Sequence, residues 1–557
     1  MFTMDSLVFL AIAVAILFAA VQRGGDGART MSERTHRAIC WAAIAAGVLV
    51  RLARLTSLPA GISAEEALVG VQAKALWQTG GFLFGQGLTT QLSQWAGETT
   101  GPLLAVLTAP FVGLFGMSKL TVRLPLALLS CAAMPAAYGL GEALSGRRAA
   151  RWMLTIAALC PIFVLEARMT CGSCAALYML PIALCLIARG VTKPAVLYPG
   201  MIVLALTAYA QDMYFFIAPA AILACAIIAL IFGRRKRHAA IAGAIGLLLC
   251  VPAMLTAFVN LTGAEGMTLL GLIRVPRLEG FEKAFMAENR SVGDKLWAVL
   301  IGGVFQVLRH ENIHQAMYTP DGMLALFMFS LPLMVLGALA LFARWTDGCR
   351  AAREKAAARA MVAATCMVTL AALVMFGSIG TLDMSGTTGL FDHSALILFD
   401  AVLMAAGLCT IERKNLKCAA AMGALMAVNF AWLAVQLFGG SYQANANVYF
   451  PGFEQMAARA AEIQAETGEK INVTGNIYPH IQPSGGAEMM FLYATDADMR
   501  TAEAERGTRY ETIYVSEDMQ PEADEIYLAR ANEISNWDLE GFDYEESEGY
   551  VLIYPAR

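Results

Sequence analysis

Twelve apolar stretches run through the first 438 residues, and they determine the environment in which this chain can fold. A helix needs about 20 mostly apolar residues to cross the roughly 30 Å hydrocarbon core of a bilayer. Of the 557 residues, 58% are hydrophobic and 15% are charged, far from the composition of water-soluble proteins. The sequence therefore predicts a mainly α, polytopic membrane helical bundle. The predicted spans are residues 5–22, 38–55, 123–144, 152–167, 173–188, 195–214, 215–232, 239–258, 322–343, 360–377, 393–411 and 418–438.

Basic clusters occur on every second connection between these spans. They are residues 23–37, 146–151, 233–238, 344–359 and 412–417, with Arg189 and Lys193 in one further turn. Short cytoplasmic loops are enriched in Lys and Arg, so these connections are predicted to be cytoplasmic. The N-terminus, a first outer loop (56–122), a long outer loop (259–321) and the C-terminal region would then lie outside the cell membrane.

This orientation requires that residues 102–116 do not cross the membrane. The segment has only 15 residues and is interrupted by Pro110, so it is short for a span. We expect a helix that lies along the membrane surface.

The charge changes near residue 439. Residues 439–557 contain 22 acidic residues (Asp or Glu) and 7 basic residues (Lys or Arg). Residues 1–438 contain 22 acidic and 33 basic residues. A helix is predicted over 454–468, and strands over 471–475, 511–518 and 549–555. We therefore expect a transmembrane domain (1–438) and a small, acidic, extracytoplasmic α/β domain (439–557), which carries no catalytic signature and is predicted to be a solvated cover or partner surface.

Two adjacent carboxylates, Glu65 and Glu66, follow the second predicted span. Ser63 and Glu66 have the spacing of a capping box, which gives Glu66 a structural role at a helix start. Glu65 is not needed for that cap and is the better candidate for chemistry.

Four arginines are predicted on the same side of the membrane: Arg51, Arg54, Arg123 and Arg168. Each is explained equally simply as an anchor to lipid headgroups. Together with the carboxylate pair, they are more typical of a site that binds the phosphate of an anionic lipid.

Other polar residues are more ambiguous. Asp212 and Tyr214, near the end of a predicted span, could bind sugar hydroxyls or simply end a helix. Cys171 and Cys174 form a CxxC motif without a second such motif, so packing is favoured over redox or metal chemistry. No metal site is predicted, because His310, His314 and His393 are scattered.

Four segments resemble, in the same order, the RLxRL…P…DEA, GPL, SxRLPSAL and SR elements of the GT-C superfamily of polyprenyl-phosphate-sugar glycosyltransferases. The likeness is greatest to bacterial members related to protein O-mannosyltransferases and lipid A aminoarabinose transferases. The segments are RLARLTSLPAGISAEEA, GPLLAVLTAPFVGLFG, KLTVRLPLALL and LEARM.

The resemblance implies a role for several residues. Glu65 occupies the position of the family's catalytic base and Glu66 that of the following Glu, while Arg123 and Arg168 correspond to phosphate-contacting arginines. A second acid usually follows the SR motif, but Cys171, Gly172 and Ser173 stand there instead. A divalent cation is compatible with the family, yet this departure gives it no support, and no cofactor is expected to be required.

The expected function is transfer of a sugar from a polyprenyl-phosphate donor to a hydroxyl of an acceptor lipid, glycan or protein, with inversion. Membrane lipid is a further expected partner, and nucleic acid is not. Two alternatives remain: a lipid-linked-sugar flippase or transporter, although no internal repeat is evident, and a catalytically impaired relative of the family.

Overall fold

A computed structural model shows how these segments are arranged. It describes residues 4–22, 31–83, 85–93, 99–170, 174–211, 213–277, 291, 293–294, 324–346, 353–376, 394–439, 450–474, 486–516 and 519–556. The helices of the apolar part are α1 (Met4–Gln22), α2 (Glu33–Leu52), α3 (Ala64–Thr79), α4 (Leu103–Phe115), α5 (Lys119–Ser145), α6 (Arg147–Leu159), α7 (Pro161–Leu165), α8 (Cys174–Gly190), α9 (Pro194–Leu206), α10 (Tyr214–Phe232), α11 (Lys236–Thr262), α12 (Ser330–Thr346), α13 (Arg353–Phe376), α14 (Ser394–Lys414) and α15 (Leu416–Phe438).

Each predicted span coincides with a helix, which confirms the mainly helical membrane fold. Among the described residues, seven helices are long and apolar enough to cross a bilayer, and α6 with α7 makes an eighth if this bent pair is one span. At the other four predicted spans, the described apolar helices are Leu7–Ala20 within α1, Cys174–Gly190, Pro194–Tyr209 and Ser330–Phe342, each of 10–17 residues. Helix α4 has 13 residues, about 20 Å of helix, so its length agrees with the predicted surface helix.

Three predicted spans differ from the helices in detail. The span at 152–167 is bent by 60° between α6 and α7, because Pro161 cannot continue a helix and restricts Cys160 to an extended conformation. The span at 195–214 ends in a 3-10 turn, Thr207–Tyr209, so Tyr214 begins α10 instead. The span at 322–343 becomes helical only at Ser330.

Five short strands lie between the helices of the apolar part: β1 (Leu88–Thr89), β2 (Leu92–Ser93), β3 (Thr99–Thr100), β4 (Met267–Leu269) and β5 (Ile273–Val275).

The C-terminal part forms the predicted α/β fold. Its elements are α16 (Pro451–Thr467), β6 (Lys470–Thr474), α17 (Gly486–Ala494), α18 (Ala502–Glu505), β7 (Tyr510–Ile513), β8 (Glu525–Arg530), β9 (Phe542–Ser547) and β10 (Tyr550–Pro555). The strand order is β7-β6-β8-β10-β9. Strand β6 is parallel to β7 and β8, and strand β10 is antiparallel to β8 and β9. Gly468 ends α16 in the left-handed conformation, as its place after the predicted helix indicated.

This α/β part packs directly on α3. Apolar side chains of α3, α16 and α17 share one buried cluster. At its edge, Lys74 pairs with Asp496 at 2.6 Å and Lys119 pairs with Glu454 at 2.7 Å. The acidic α/β part therefore contacts α3, whose first turn carries Glu65 and Glu66, and the start of α5.

The opposite end of the bundle is tied by a buried acid. Glu412 of α14 accepts hydrogen bonds from Arg151 and, at 2.8 Å, from the indole of Trp152. Arg148 lies 3.5 Å from the same carboxylate. Helices α6 and α14 are thus joined by charge as well as by apolar packing.

Helices α12 and α14 approach each other through two glycines. A Cβ atom on Gly337 would lie 1.9 Å from the carbonyl oxygen of Leu403, and one on Gly407 would lie 2.3 Å from that of Leu333. Small residues allow such close backbone approach between membrane helices.

We predict that Gly337→Ala destabilises the protein by about 1–3 kcal/mol, because the added methyl group has no room between the two helices. Gly423→Ala is the matched control, since its new Cβ would meet nothing closer than 3.6 Å. Thermal unfolding in detergent measures both variants. Equal melting temperatures would contradict this account of the α12–α14 contact.

Candidate functional site

The chain turns sharply between α2 and α3, and the start of α3 is fixed by a capping box. The Glu66 N–H donates to the Ser63 hydroxyl at 3.2 Å, and the Ser63 N–H donates to the Glu66 carboxylate at 3.4 Å. This local spacing determines where α3 begins. It also directs the Glu66 side chain back toward the turn.

Arg123 of α5 forms a buried ion pair with Glu66. Its Nε and Nη2 donate to the two carboxylate oxygens at 2.9 and 2.8 Å, and both side chains are 1% exposed. The remaining Arg123 donors bind the carbonyl oxygens of Leu55, Pro59 and Gly61 at 2.9–3.1 Å. Arg123 therefore holds the turn between α2 and α3 in place.

The Arg168 side chain caps the C-terminal end of α2. The last carbonyl groups of a helix have no partner within it, and a cation there complements the helix dipole. The Arg168 guanidinium donates to carbonyl oxygens on both sides of the helix end, those of Val50, Arg51, Ala53, Arg54 and Leu58, at 2.7–3.5 Å. The side chain is buried.

Arg51 joins α2 to the bend between α6 and α7. It donates to the carbonyl oxygens of Ala157, Ala158 and Phe163 at 2.7–3.0 Å, and to Gly47 in its own helix at 2.9 Å. The bend leaves the Ala157 and Ala158 carbonyls without helical partners, because Pro161 has no N–H and the Ile162 N–H donates to Ala325, and the buried cation satisfies both. No carboxylate within the described part of the chain forms an ion pair with Arg51.

The four predicted arginines therefore differ in accessibility. Arg51, Arg123 and Arg168 are buried, whereas Arg54 is exposed. Arg54 has a φ of 51°, in the left-handed region, and its carbonyl oxygen accepts the Leu58 N–H at 2.9 Å. Of these four side chains, only that of Arg54 is accessible to an anion from solution.

Glu65 differs from its neighbour in surroundings. It is partly exposed, while Glu66 is 1% exposed. The Glu65 carboxylate interacts electrostatically with that of Glu166, which lies in the 3-10 turn Glu166–Arg168. Glu166 is buried and accepts the Cys174 thiol at 2.7 Å. The structure thus brings two carboxylates near each other from segments about 100 residues apart.

Sequence reasoning missed Glu166. The resemblance placed a second acid after Arg168, whereas this carboxylate precedes the arginine by two residues. A signal was present, because an ionisable residue within an apolar stretch such as PIFVLEARM is unusual in a membrane protein and often functional.

The remaining predicted residues are placed as follows. Tyr214 is fully buried at the start of α10. Asp212 lies outside the described residues, as do Cys171 and the three scattered histidines, so their predicted roles stay predictions. Cys174 is buried, in agreement with a packing role, and also contacts Glu166.

The described residues contain no group of three or more His, Cys, Asp or Glu side chains that could hold a metal ion. Glu65 and Glu166 with the Cys174 thiol do not make up such a set. Whether a divalent cation takes part stays a prediction from the resemblance.

We predict that Glu66→Gln costs about 3–5 kcal/mol of stability, because it leaves the Arg123 cation buried without its counter-charge. The neighbouring change Glu65→Gln should cost less than about 1 kcal/mol, as is usual at partly exposed positions. Unfolding in detergent compares the two isosteric variants. Equal losses would show that the two carboxylates do not have separate roles.

Comparisons with known proteins give a structural likeness only. No family model matches the chain, and no curated protein matches its sequence. A likeness exists to ArnT from Cupriavidus metallidurans in the apo state, with a TM-score of 0.46, 12% identity and coverage of 94% of this chain and 98% of that one. ArnT bound to undecaprenyl phosphate gives a TM-score of 0.46 at 11% identity, and the match covers 92% of this chain and 97% of that one.

The archaeal oligosaccharyltransferase AglB from Archaeoglobus fulgidus, in complex with an inhibitory peptide and a dolichol-phosphate, gives a TM-score of 0.45 at 12% identity. The match covers 83% of this chain but 63% of the length of AglB. At these identities and TM-scores, the likeness carries no conclusion about activity.

Proposed function

We propose that this protein is an integral membrane glycosyltransferase. It would move a sugar from a polyprenyl-phosphate donor to a hydroxyl group of an acceptor lipid, glycan or protein at the end of the bundle that carries α3. The observation that carries this proposal is the separation of two adjacent carboxylates. Glu66 is engaged by the cap and Arg123, while Glu65 stays partly exposed beside Glu166.

Glu65 is the proposed catalytic base. The acceptor oxygen attacks the anomeric carbon as its proton passes to the Glu65 carboxylate, and the bond from that carbon to the phosphate oxygen breaks. The phosphate leaves as a stable anion, so no general acid is needed, unlike in glycoside hydrolysis. Direct displacement inverts the anomeric carbon.

The arginines would stabilise the departing phosphate in two ways. Arg54 is exposed and is the best placed of the four for direct contact. Arg51 and Arg168 are buried and would act without touching the phosphate. Their guanidinium groups donate mainly to uncharged carbonyl oxygens, so their positive charge is not neutralised and would create a positive electrostatic potential at the end of α2. Such prearranged charge is often the largest contribution to catalysis.

Arg123 would act on binding only through the turn it braces, since Glu66 neutralises its charge. Asp212 is proposed, from the sequence alone, to contact the sugar, whereas the fully buried Tyr214 is not placed in direct contact with it. A polyprenyl tail fits a site at the membrane surface, because the donor can then arrive laterally from the bilayer.

We predict that Glu65→Gln lowers the transfer rate about 10²- to 10⁴-fold, the usual contribution of a positioned base. Glu65→Asp is the control that keeps the base but shortens its reach, and it should retain measurable transfer. The wild-type protein and both variants are reconstituted with a panel of undecaprenyl-phosphate sugars and an acceptor extract. The products are followed by mass spectrometry.

The outcomes also separate the alternatives. Undiminished transfer by Glu65→Gln would remove Glu65 from the role of base. Failure of the wild-type protein to transfer any donor, together with movement of the lipid-linked sugar between leaflets, would favour a flippase. Mass spectra of lipids that copurify with the protein would identify the donor class independently.

A further inference from the structure

A short β-hairpin follows directly on the membrane helix α11. Its strands are β4 (Met267–Leu269) and β5 (Ile273–Val275), and the Leu272 N–H donates to the Leu269 carbonyl at 3.0 Å. The two central residues, Leu270 and Gly271, have φ values of 53° and 69°. Residues 269–272 therefore form a β-turn whose two central residues are both left-handed, within a three-residue loop between the paired Leu269 and Ile273.

A leucine is unusual at the first central position of such a turn. Asn, Asp and Gly are the residues that adopt the left-handed conformation readily, and leucine does so with strain. A strained position invites a functional explanation when a second observation supports one. Here the second observation is the exposure of the tip.

The tip of this hairpin is apolar and unusually exposed. Leu270 is 86% exposed and Leu272 is 67% exposed. In a soluble protein such a tip would normally be polar. Arg274 and Arg277, both exposed, follow on the second strand and beyond it, so apolar and basic groups alternate along the protein surface. This pairing is typical of segments that lie at the boundary between lipid tails and headgroups.

The hairpin is also continuous with a surface that faces lipid. Exposed apolar residues run along one side of α11, among them Leu248 at 69% and Phe258 at 56%. Because α11 is long and apolar enough to cross the bilayer, we expect this side to face acyl chains. The hairpin begins only a few residues after Thr262, the last residue of the helix.

Several contacts hold the hairpin in this position. Strand β1 (Leu88–Thr89), from the segment after α3, pairs in parallel with β5. Asn260 near the end of α11 donates to the Pro276 carbonyl at 3.0 Å, and Arg274 donates to that of Gly85 at 3.0 Å. These contacts fix the strands of the hairpin, so the exposed tip extends from a well-anchored base.

We propose that the tip of the β4–β5 hairpin, Leu270 to Leu272, inserts into the bilayer leaflet at the end of α11 nearest α3. Leu270 and Leu272 contact lipid acyl chains, and Arg274 lies at the level of the phosphate groups. The hairpin then sets the height of the segment after α3 relative to the membrane surface. This proposal stands apart from the proposed glycosyl transfer.

The experiment places a tryptophan at the tip of the full-length protein. Leu270→Trp is reconstituted in nanodiscs of phosphatidylcholine with brominated acyl chains, which quench nearby indoles, and in nanodiscs of the same lipid without bromine. Wild-type fluorescence is subtracted. Tyr544→Trp is the matched control, because Tyr544 on β9 is 62% exposed in the α/β part.

If the tip inserts, the fluorescence added by Leu270→Trp should be blue-shifted and should lose most of its intensity in brominated lipid. The fluorescence added by Tyr544→Trp should be the same in both lipids. Quenching no greater than that of Tyr544→Trp would overturn the proposal and place the tip in water or against protein. Leu272→Trp provides a second probe outside the left-handed position, should Leu270→Trp fail to fold.

Discussion

The buried pair between Arg123 and Glu66 is the interaction on which the rest of the site depends. A bidentate guanidinium–carboxylate contact inside a membrane protein is stable only when every remaining donor is also satisfied. Here the other donors bind the turn between α2 and α3, so one residue of α5 determines the path of the chain into α3. The direction of α3 in turn determines which of its first two glutamates is buried and which is accessible.

Around this pair, the buried charges differ from the exposed ones in what they contact. Arg51 and Arg168 join the ends of α2, α6 and the following turn through carbonyl groups. The acidic α/β part holds α3 through its apolar face and the Lys74–Asp496 ion pair, and it holds the start of α5 through the Lys119–Glu454 ion pair. Glu65 and Arg54 remain partly or fully exposed within this frame. A rigid surrounding of this kind is what a positioned base requires, because misplacement of about 1 Å is costly in catalysis.

The sequence predicted what depends on local pattern. Apolar length located a helix at each of the twelve predicted spans, and the Ser63–Glu66 spacing correctly assigned Glu66 to the cap. Strands β6 and β10 were found from their composition, whereas β8 and β9 were missed because acidic residues flank or interrupt them. The partners of buried charges could not be predicted, since Arg123 and Glu66 are 57 residues apart and Arg151 and Glu412 are 261 apart. For the same reason, the approach of Glu166 to Glu65 follows only from the bend at Pro161 and the packing of the helices.

A double-mutant cycle between Arg123 and Glu66 tests this account most directly. Arg123→Met, Glu66→Gln and the double variant are compared by their free energies of unfolding in detergent, with a parallel cycle that pairs Arg123→Met with Glu65→Gln. The account predicts a coupling free energy of about 1–3 kcal/mol for Glu66 and near additivity for Glu65. Additive effects for Glu66, or equal coupling to both glutamates, would contradict the division between a structural and an accessible carboxylate.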